Sequence, residues 1–147
     1  MVMWIAVLTL GLLLNRDVVA GALSDGVSPM SSKTARLVAP KSVEITKNGA
    51  RSEYMSGNET ADMCRSFVLP PADVREFFKR ARRVTEREYG HDLVAANCYA
   101  EGKAHFPDGG TAAWQIDQAR RGFVSMPDGN TLYLYCPKCR ANVFAPN

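Results

Sequence analysis

Two cysteines three positions apart, Cys136 and Cys139 in LYLYCPKCRANVFAPN, are the pair in this 147-residue chain whose spacing most suggests chemistry. A Cys-Pro-Lys-Cys stretch suits a dithiol redox centre, half of a tetrahedral zinc site, or two crosslinks that happen to be neighbours. In thioredoxin-like proteins the motif follows a strand and opens a helix whose N-terminus stabilises the thiolate. Here only the short stretch RANVFAPN, with Pro146 in it, follows Cys139, so a helix of useful length does not fit. A zinc site would be well supported by a second pair of the same spacing, but Cys64 and Cys98 stand singly, and His91 and His105 have no ligand-like spacing to them. The expectation is therefore no metal and no cofactor. Four cysteines in an exported chain read instead as a disulfide framework with three possible pairings. A Cys136–Cys139 bond closes so tight a loop that it constrains little. The two ends of a four-strand meander lie at one end of the sheet, which favours Cys98–Cys136 with Cys64–Cys139, the swapped pairing being the near alternative.

Other reactive side chains form no recognisable constellation. His91, Asp92, Glu101, His105 and Asp117 supply imidazoles and carboxylates, but there is no Gly-x-Ser-x-Gly nucleophile motif and no metal-ligand histidine pair. No catalytic residue is assigned. Charge is more suggestive. Arg75, Lys79, Arg80, Arg82, Arg83 and Arg87 stand against Asp73, Glu76, Glu86 and Glu88 in one stretch, with Glu76–Arg80 and Arg82–Glu86 spaced to pair on a helix. Most such runs are the solvated side of an amphipathic helix. The functional alternative is a basic patch, centred on Arg82 and Arg83 and extended by Arg120-Arg121, that binds acidic lipid, phosphate or an acidic protein surface. Tyr133 and Tyr135, opposite Leu132 and Leu134 on one strand, and Tyr99 on another, form a candidate aromatic binding stripe. Its alternative is cross-strand packing under the N-terminal arm.

The elements that must position these groups are legible from periodicity. Val74, Phe77, Phe78, Ala81, Val84 and Thr85 follow one face of a helix, with Pro71 and Asp73 in its first turn and Gly90 as its left-handed terminus. Four strands are predicted at about 96–106, 111–117, 122–126 and 131–136. Two connections repeat the same turn chemistry, Phe106-Pro107-Asp108-Gly109 and Met126-Pro127-Asp128-Gly129. Residues 64–69 could add an edge strand, and Cys98, Ala100, Trp114, Ile116, Leu132, Leu134 and Cys136 are the candidate core face. The predicted fold is α+β: one amphipathic helix on an antiparallel meander of four to five strands, stapled by disulfides.

Residues 1–22 read as a signal peptide, with an apolar run over 2–14 too short to span a membrane and small residues at Ala20 and Ala22. Residues 23–62 are dominated by Ser, Thr, Gly, Asn, Lys and Pro and read as a disordered or weakly ordered arm. Within it, residues 42–47 alternate like a short edge strand before a turn at Asn48-Gly49. Asn58-Glu59-Thr60 has the form of a glycosylation acceptor. The folded domain is expected over 63–147. A net charge of +3 is too mild to indicate nucleic-acid binding.

The segments CYAEG (98–102), EFFKRARRVTEREYGHD and LYLYCPKC, in that joint arrangement with Cys64, resemble small uncharacterised exported proteins of proteobacteria. The resemblance covers about 64–139 and implies a periplasmic or secreted location, with no activity to carry over. The expected function is a non-enzymatic domain, accessory or inhibitor-like, that binds another protein or an envelope component. A thiol or metal protein using Cys136 and Cys139, and a small envelope hydrolase, are the alternatives.

Overall fold

Residues 39–55 and 57–145 are described by the computed structural model, so the expected signal peptide and the first part of the arm lie outside the described residues. In chain order the elements are β1 (Ser42–Arg51), α1 (Ala61–Cys64), α2 (Pro71–Arg80), β2 (Arg82–Val84), β3 (Cys98–His105), β4 (Thr111–Asp117), β5 (Arg121–Ser125) and β6 (Thr131–Tyr135). All six strands form one antiparallel sheet in the order β1-β3-β4-β5-β6-β2. The expected meander is β3 to β6. The sheet has six strands rather than four or five because both edges gain a strand that hydrophobic patterning underweights.

The first edge comes from the stretch read as an arm. β1 pairs along β3 from Ser42↔His105 to Arg51↔Cys98, passing through Asn48-Gly49 as a bulge where a turn was expected. Asn48 makes the bulge useful. Its amide donates to the Leu69 carbonyl and its Oδ1 accepts from the Leu69 N–H, both at 2.9 Å, which ties down the segment before α2. Gly102 lets β1 approach so closely: a Cβ there would meet the Glu44 carbonyl oxygen at 1.8 Å.

The second edge comes from the end of the expected long helix. Pro70-Pro71 starts α2 as anticipated, but the chain turns extended at Ala81 (ψ 141°) and residues 82–84 pair with β6. The apolar spacing at Val84 and Thr85 suits either structure, and β-branched residues favour the strand. Pairing also covers the backbone edge that β6 would otherwise expose. Gly90 consequently sits inside a single π-helical turn, Glu88–Asp92, and is not a left-handed helix terminus. Residues 64–69 form the end of α1 and a turn, not a strand.

Val74, Phe77 and Phe78 of α2 pack on the inner sheet face, with Phe78 edge-on to Trp114 at 6.4 Å between ring centres. Cys98, Ala100, Trp114, Ile116, Leu134 and Cys136 are buried as expected, and Leu132 is half-buried. Three successive hairpins use one loop geometry. In the Pro-Asp-Gly loops, Phe106 pairs with Gly110 and Met126 with Asn130, each aspartate accepts from the N–H two residues on, and Gly109 and Gly129 take φ of 87° and 86°. The middle loop, Gln118-Ala119-Arg120 between β4 and β5, closes with the Arg120 N–H donating to the Asp117 carbonyl and has Arg120 at φ 65° in the glycine position.

The disulfides are Cys64–Cys98 and Cys136–Cys139, neither of the pairings favoured from sequence. Sharing one end of the sheet does not make the outer meander strands neighbours. β3 and β6 are three strand spacings apart, roughly 14 Å, about twice the Cα separation a disulfide spans. Cys64, by contrast, ends α1 beside the start of β3, and Cys136 and Cys139 flank a tight turn closed by a Cys139 N–H to Cys136 carbonyl bond. Two disulfides point to an oxidising compartment. Loop-closure entropy makes the two bonds unequal: about 4 kcal/mol for the loop between Cys64 and Cys98, about 2 kcal/mol for the short turn. In equilibrium denaturation, Cys64→Ala/Cys98→Ala is therefore expected to lose about twice the stability lost by Cys136→Ala/Cys139→Ala; equal losses would contradict this ranking.

Candidate functional site

The loop between β4 and β5 is where local sequence and tertiary structure meet. Asp117 is 3% and Arg121 4% exposed, and the Arg121 Nε donates to Asp117 Oδ2 at 2.9 Å. The other carboxylate oxygen accepts from the backbone N–H of Ala119 (2.9 Å) and of Arg121 (3.0 Å), an Asx-type closure that fixes the turn from inside. Burial pushes the Asp117 carboxyl up, against the opposing charge and hydrogen bonds of Arg121. Arg121 also donates to the Tyr89 carbonyl at 2.7 Å, and its guanidinium lies 4.4 Å from the centre of the Tyr89 ring. Residues 85–93 are thereby held across the outer sheet face.

That segment decides the fate of the candidate tyrosines. Tyr89 packs on Tyr133 at 4.9 Å and edge-on to Phe123 at 6.5 Å between ring centres. Tyr135 lies beneath the Arg82 guanidinium at 5.4 Å. Tyr99 is not part of this cluster: along its row of the sheet it faces Asp117, and the Asp117–Arg121 pair stands between it and Tyr135. Tyr133 is thus covered by Tyr89 and Tyr135 by Arg82, neither by an N-terminal arm, and Tyr99 is set apart.

The basic residues converge elsewhere. A concavity of about 600 Å³ is lined by Arg80, Arg120, Pro137, Lys138, Cys139 and Arg140. A second of about 300 Å³ shares Arg80, Pro137 and Lys138 with it and adds Lys79 and Arg82. Together they form one hollow where the end of α2, the β4–β5 hairpin and the Cys136–Cys139 turn come together. Glu76 pairs with Arg80, and Glu88 pairs with Arg82 at 2.5 Å, in place of the expected Arg82–Glu86 pair that an unbroken helix would have made. Lys79, Arg120, Lys138 and Arg140 have no ion-pair partner among the described residues. Arg83, alternating on β2, lies away from this hollow beside Val84, Glu86 and Thr131.

The sequence named Arg82 and Arg120 but passed over Lys138 and Arg140, which are basic residues inside and just after a crosslinked turn. One basic residue inside the Cys-x-x-Cys turn and another just after it are the signal in the sequence. The Cys136–Cys139 bond is itself buried and is followed by turns, with no helix among the described residues after it. It shapes the hollow's rim: the Cys139 carbonyl accepts from Arg120 Nε at 3.0 Å.

The imidazoles and carboxylates are not assembled. His105 hydrogen-bonds Thr111 at 2.9 Å at one end of β3, roughly 20 Å along the strands from Asp117. His91 is exposed, and Glu101 pairs with Lys47 at 3.0 Å. Among the described residues no three His, Cys, Asp or Glu side chains are placed to hold a metal ion, and no helix is long and apolar enough to cross a membrane. The sequence matches no protein-family model and no curated protein, and no solved structure matches the fold.

The Tyr89 phenol is pushed up to about 12, first by burial and then by the nearby Asp117 carboxylate. Its folded form resists ionisation while the unfolded chain ionises near 10.0. The stabilisation is therefore complete below pH 10 and lost as the pH rises towards 12, on the order of 2 kcal/mol in all. A phenolate absorbance titration should show one of the five tyrosines ionising last, with that step absent in Tyr89→Phe. A late step that persists in Tyr89→Phe would rule out this assignment.

Proposed function

We propose that this chain is an exported, non-enzymatic binding domain, periplasmic or secreted, that engages an acidic protein or envelope component through the cationic hollow beside the Cys136–Cys139 turn. The observation that carries the reading is charge segregation. A chain of net charge only +3 concentrates Lys79, Arg80, Arg82, Arg120, Lys138 and Arg140 around one concave surface, with carboxylate partners for just two of them. Clustered like charges repel, so such an arrangement destabilises the isolated fold unless an anion relieves it. Exposed, unpaired cations also accelerate encounter with an acidic surface and make it salt-dependent.

Export is supported by the apolar run at 2–14 together with two disulfides in so small a sheet. In this reading the sulfur chemistry is structural: the short bridge holds the turn that carries Lys138 and borders Arg140. The clustered tyrosines contribute packing for residues 85–93, and the binding surface is the basic one.

Capture of a component from the host's envelope fraction is expected to weaken steadily with added salt. It should fall about tenfold or more in Lys138→Glu/Arg140→Glu, both exposed sites where reversal leaves the core intact. Tyr99→Ser should leave capture unchanged. Binding that ignores both salt and the charge reversal would remove the proposal.

A further inference from the structure

Arg120 is where the fold departs from its own habit. The two sister hairpins place glycine at the left-handed position of the loop, and the third places arginine there, at φ 65°. A left-handed backbone costs an L-residue with a Cβ roughly 1 kcal/mol, and such strain persists where the side chain is needed at that spot. The side chain is held at two points. Its Nε donates to the Cys139 carbonyl at 3.0 Å, and its guanidinium lies 5.5 Å from the centre of the Phe144 ring. Those contacts use one nitrogen and one face of the plane. The two terminal amino groups remain, on a side chain that lines the larger part of the hollow with Lys138 and Arg140.

On this geometry we propose that the hollow is a site for a terminal phosphoryl group, with Arg120 as its preorganised anchor. This deepens the functional reading above and rests on it. A phosphoryl group fits the donor set better than a single carboxylate does. It presents three acceptor oxygens and close to two negative charges, matching a guanidinium fork with two ammonium- or guanidinium-bearing neighbours from a separate segment. Because Arg120 is already ordered by Cys139 and Phe144, little side-chain entropy remains to be lost on binding. At about 600 Å³ the hollow also has room for what the phosphoryl group is attached to, so a phosphate monoester or diphosphate is the ligand class. The group can come from a soluble metabolite or from a phosphomonoester lipid headgroup, and the anchor would be the same.

The glycines of the sister loops supply the decisive variant. Arg120→Gly retains the backbone conformation, and Arg120→Asn, a residue that tolerates it, serves if the glycine variant folds poorly. Calorimetry on the oxidised full chain with pyrophosphate, with succinate as the dicarboxylate control, is expected to show pyrophosphate bound at least about tenfold more tightly than succinate. Arg120→Gly should keep a thermal midpoint near that of the native chain and lose that preference. Vesicles containing phosphatidic acid, compared with phosphatidylglycerol and with a neutral lipid, separate the sources. Retention on phosphatidic acid that pyrophosphate displaces marks a headgroup ligand, and binding of soluble pyrophosphate alone marks a metabolite. If Arg120→Gly and Arg120→Asn bind pyrophosphate as the native chain does, the anchor role is overturned. If the native chain binds succinate as tightly as pyrophosphate, the phosphoryl assignment fails while general acidic-partner binding stands. If neither anion binds and envelope capture is also salt-insensitive, both readings fail.

Discussion

A buried ion pair between two residues four apart, Asp117 and Arg121, holds the peripheral parts of this molecule on its sheet. Burying two charges is costly, and a pair of this kind adds little net stability over apolar residues of the same size. Breaking it from one side is another matter, since a lone buried charge costs about 3–5 kcal/mol. What the pair contributes is position. One carboxylate closes the hairpin on its own backbone, and the guanidinium it orients reaches out to Tyr89. The same loop receives the tail, with the Cys136 N–H on the Arg120 carbonyl and the Ala145 N–H on that of Gln118.

From that joint the rest follows in order. α2 and the inner sheet face make a conventional apolar core around Trp114, Phe77 and Phe78. The long-range Cys64–Cys98 bond fastens the segment before α2 to the first meander strand, while the short Cys136–Cys139 bond sets the shape of a turn rather than the fold. The tail is then pinned from three directions: by the crosslink, by Arg120 on the Cys139 carbonyl, and by Phe144 against Phe67 at 6.0 Å. A cationic rim results, fixed where a free terminus would have let it drift.

The sequence disclosed the repeated parts best. Alternation and the two Pro-Asp-Gly turns located β3 to β6 within two residues, because each strand's pattern and the turn that bounds it agree. It failed where two structures compete for one pattern. Val84 and Thr85 continue the apolar spacing of α2 but belong beyond it, since the unpaired edge of β6 is a tertiary fact that no local window contains. β1 is faint in the sequence for the same reason: its polar composition suits an edge strand whose partners are backbone groups. The disulfide pairing is not legible from topology alone, because strands that share a sheet end need not be neighbours across the sheet. Of the candidate site, Arg82 was visible as part of a charge run, whereas Lys138 and Arg140 gain their meaning only from the turn that carries them to Arg80 and Arg120.

Amide hydrogen exchange in an Arg121→Gln variant tests most directly whether the buried pair is the joint of the structure. The amides of Ala119 and residue 121 report the local effect, because their acceptor is the Asp117 carboxylate that the substitution leaves without its ion-pair partner. If the pair is the joint, Cys136 and Ala145, tail amides that donate to the loop carbonyls of Arg120 and Gln118, and Leu93 of the outer segment, which donates to Glu88, lose protection with them. Loss confined to Ala119 and Arg121, with the tail and residues 85–93 as protected as before, would contradict it.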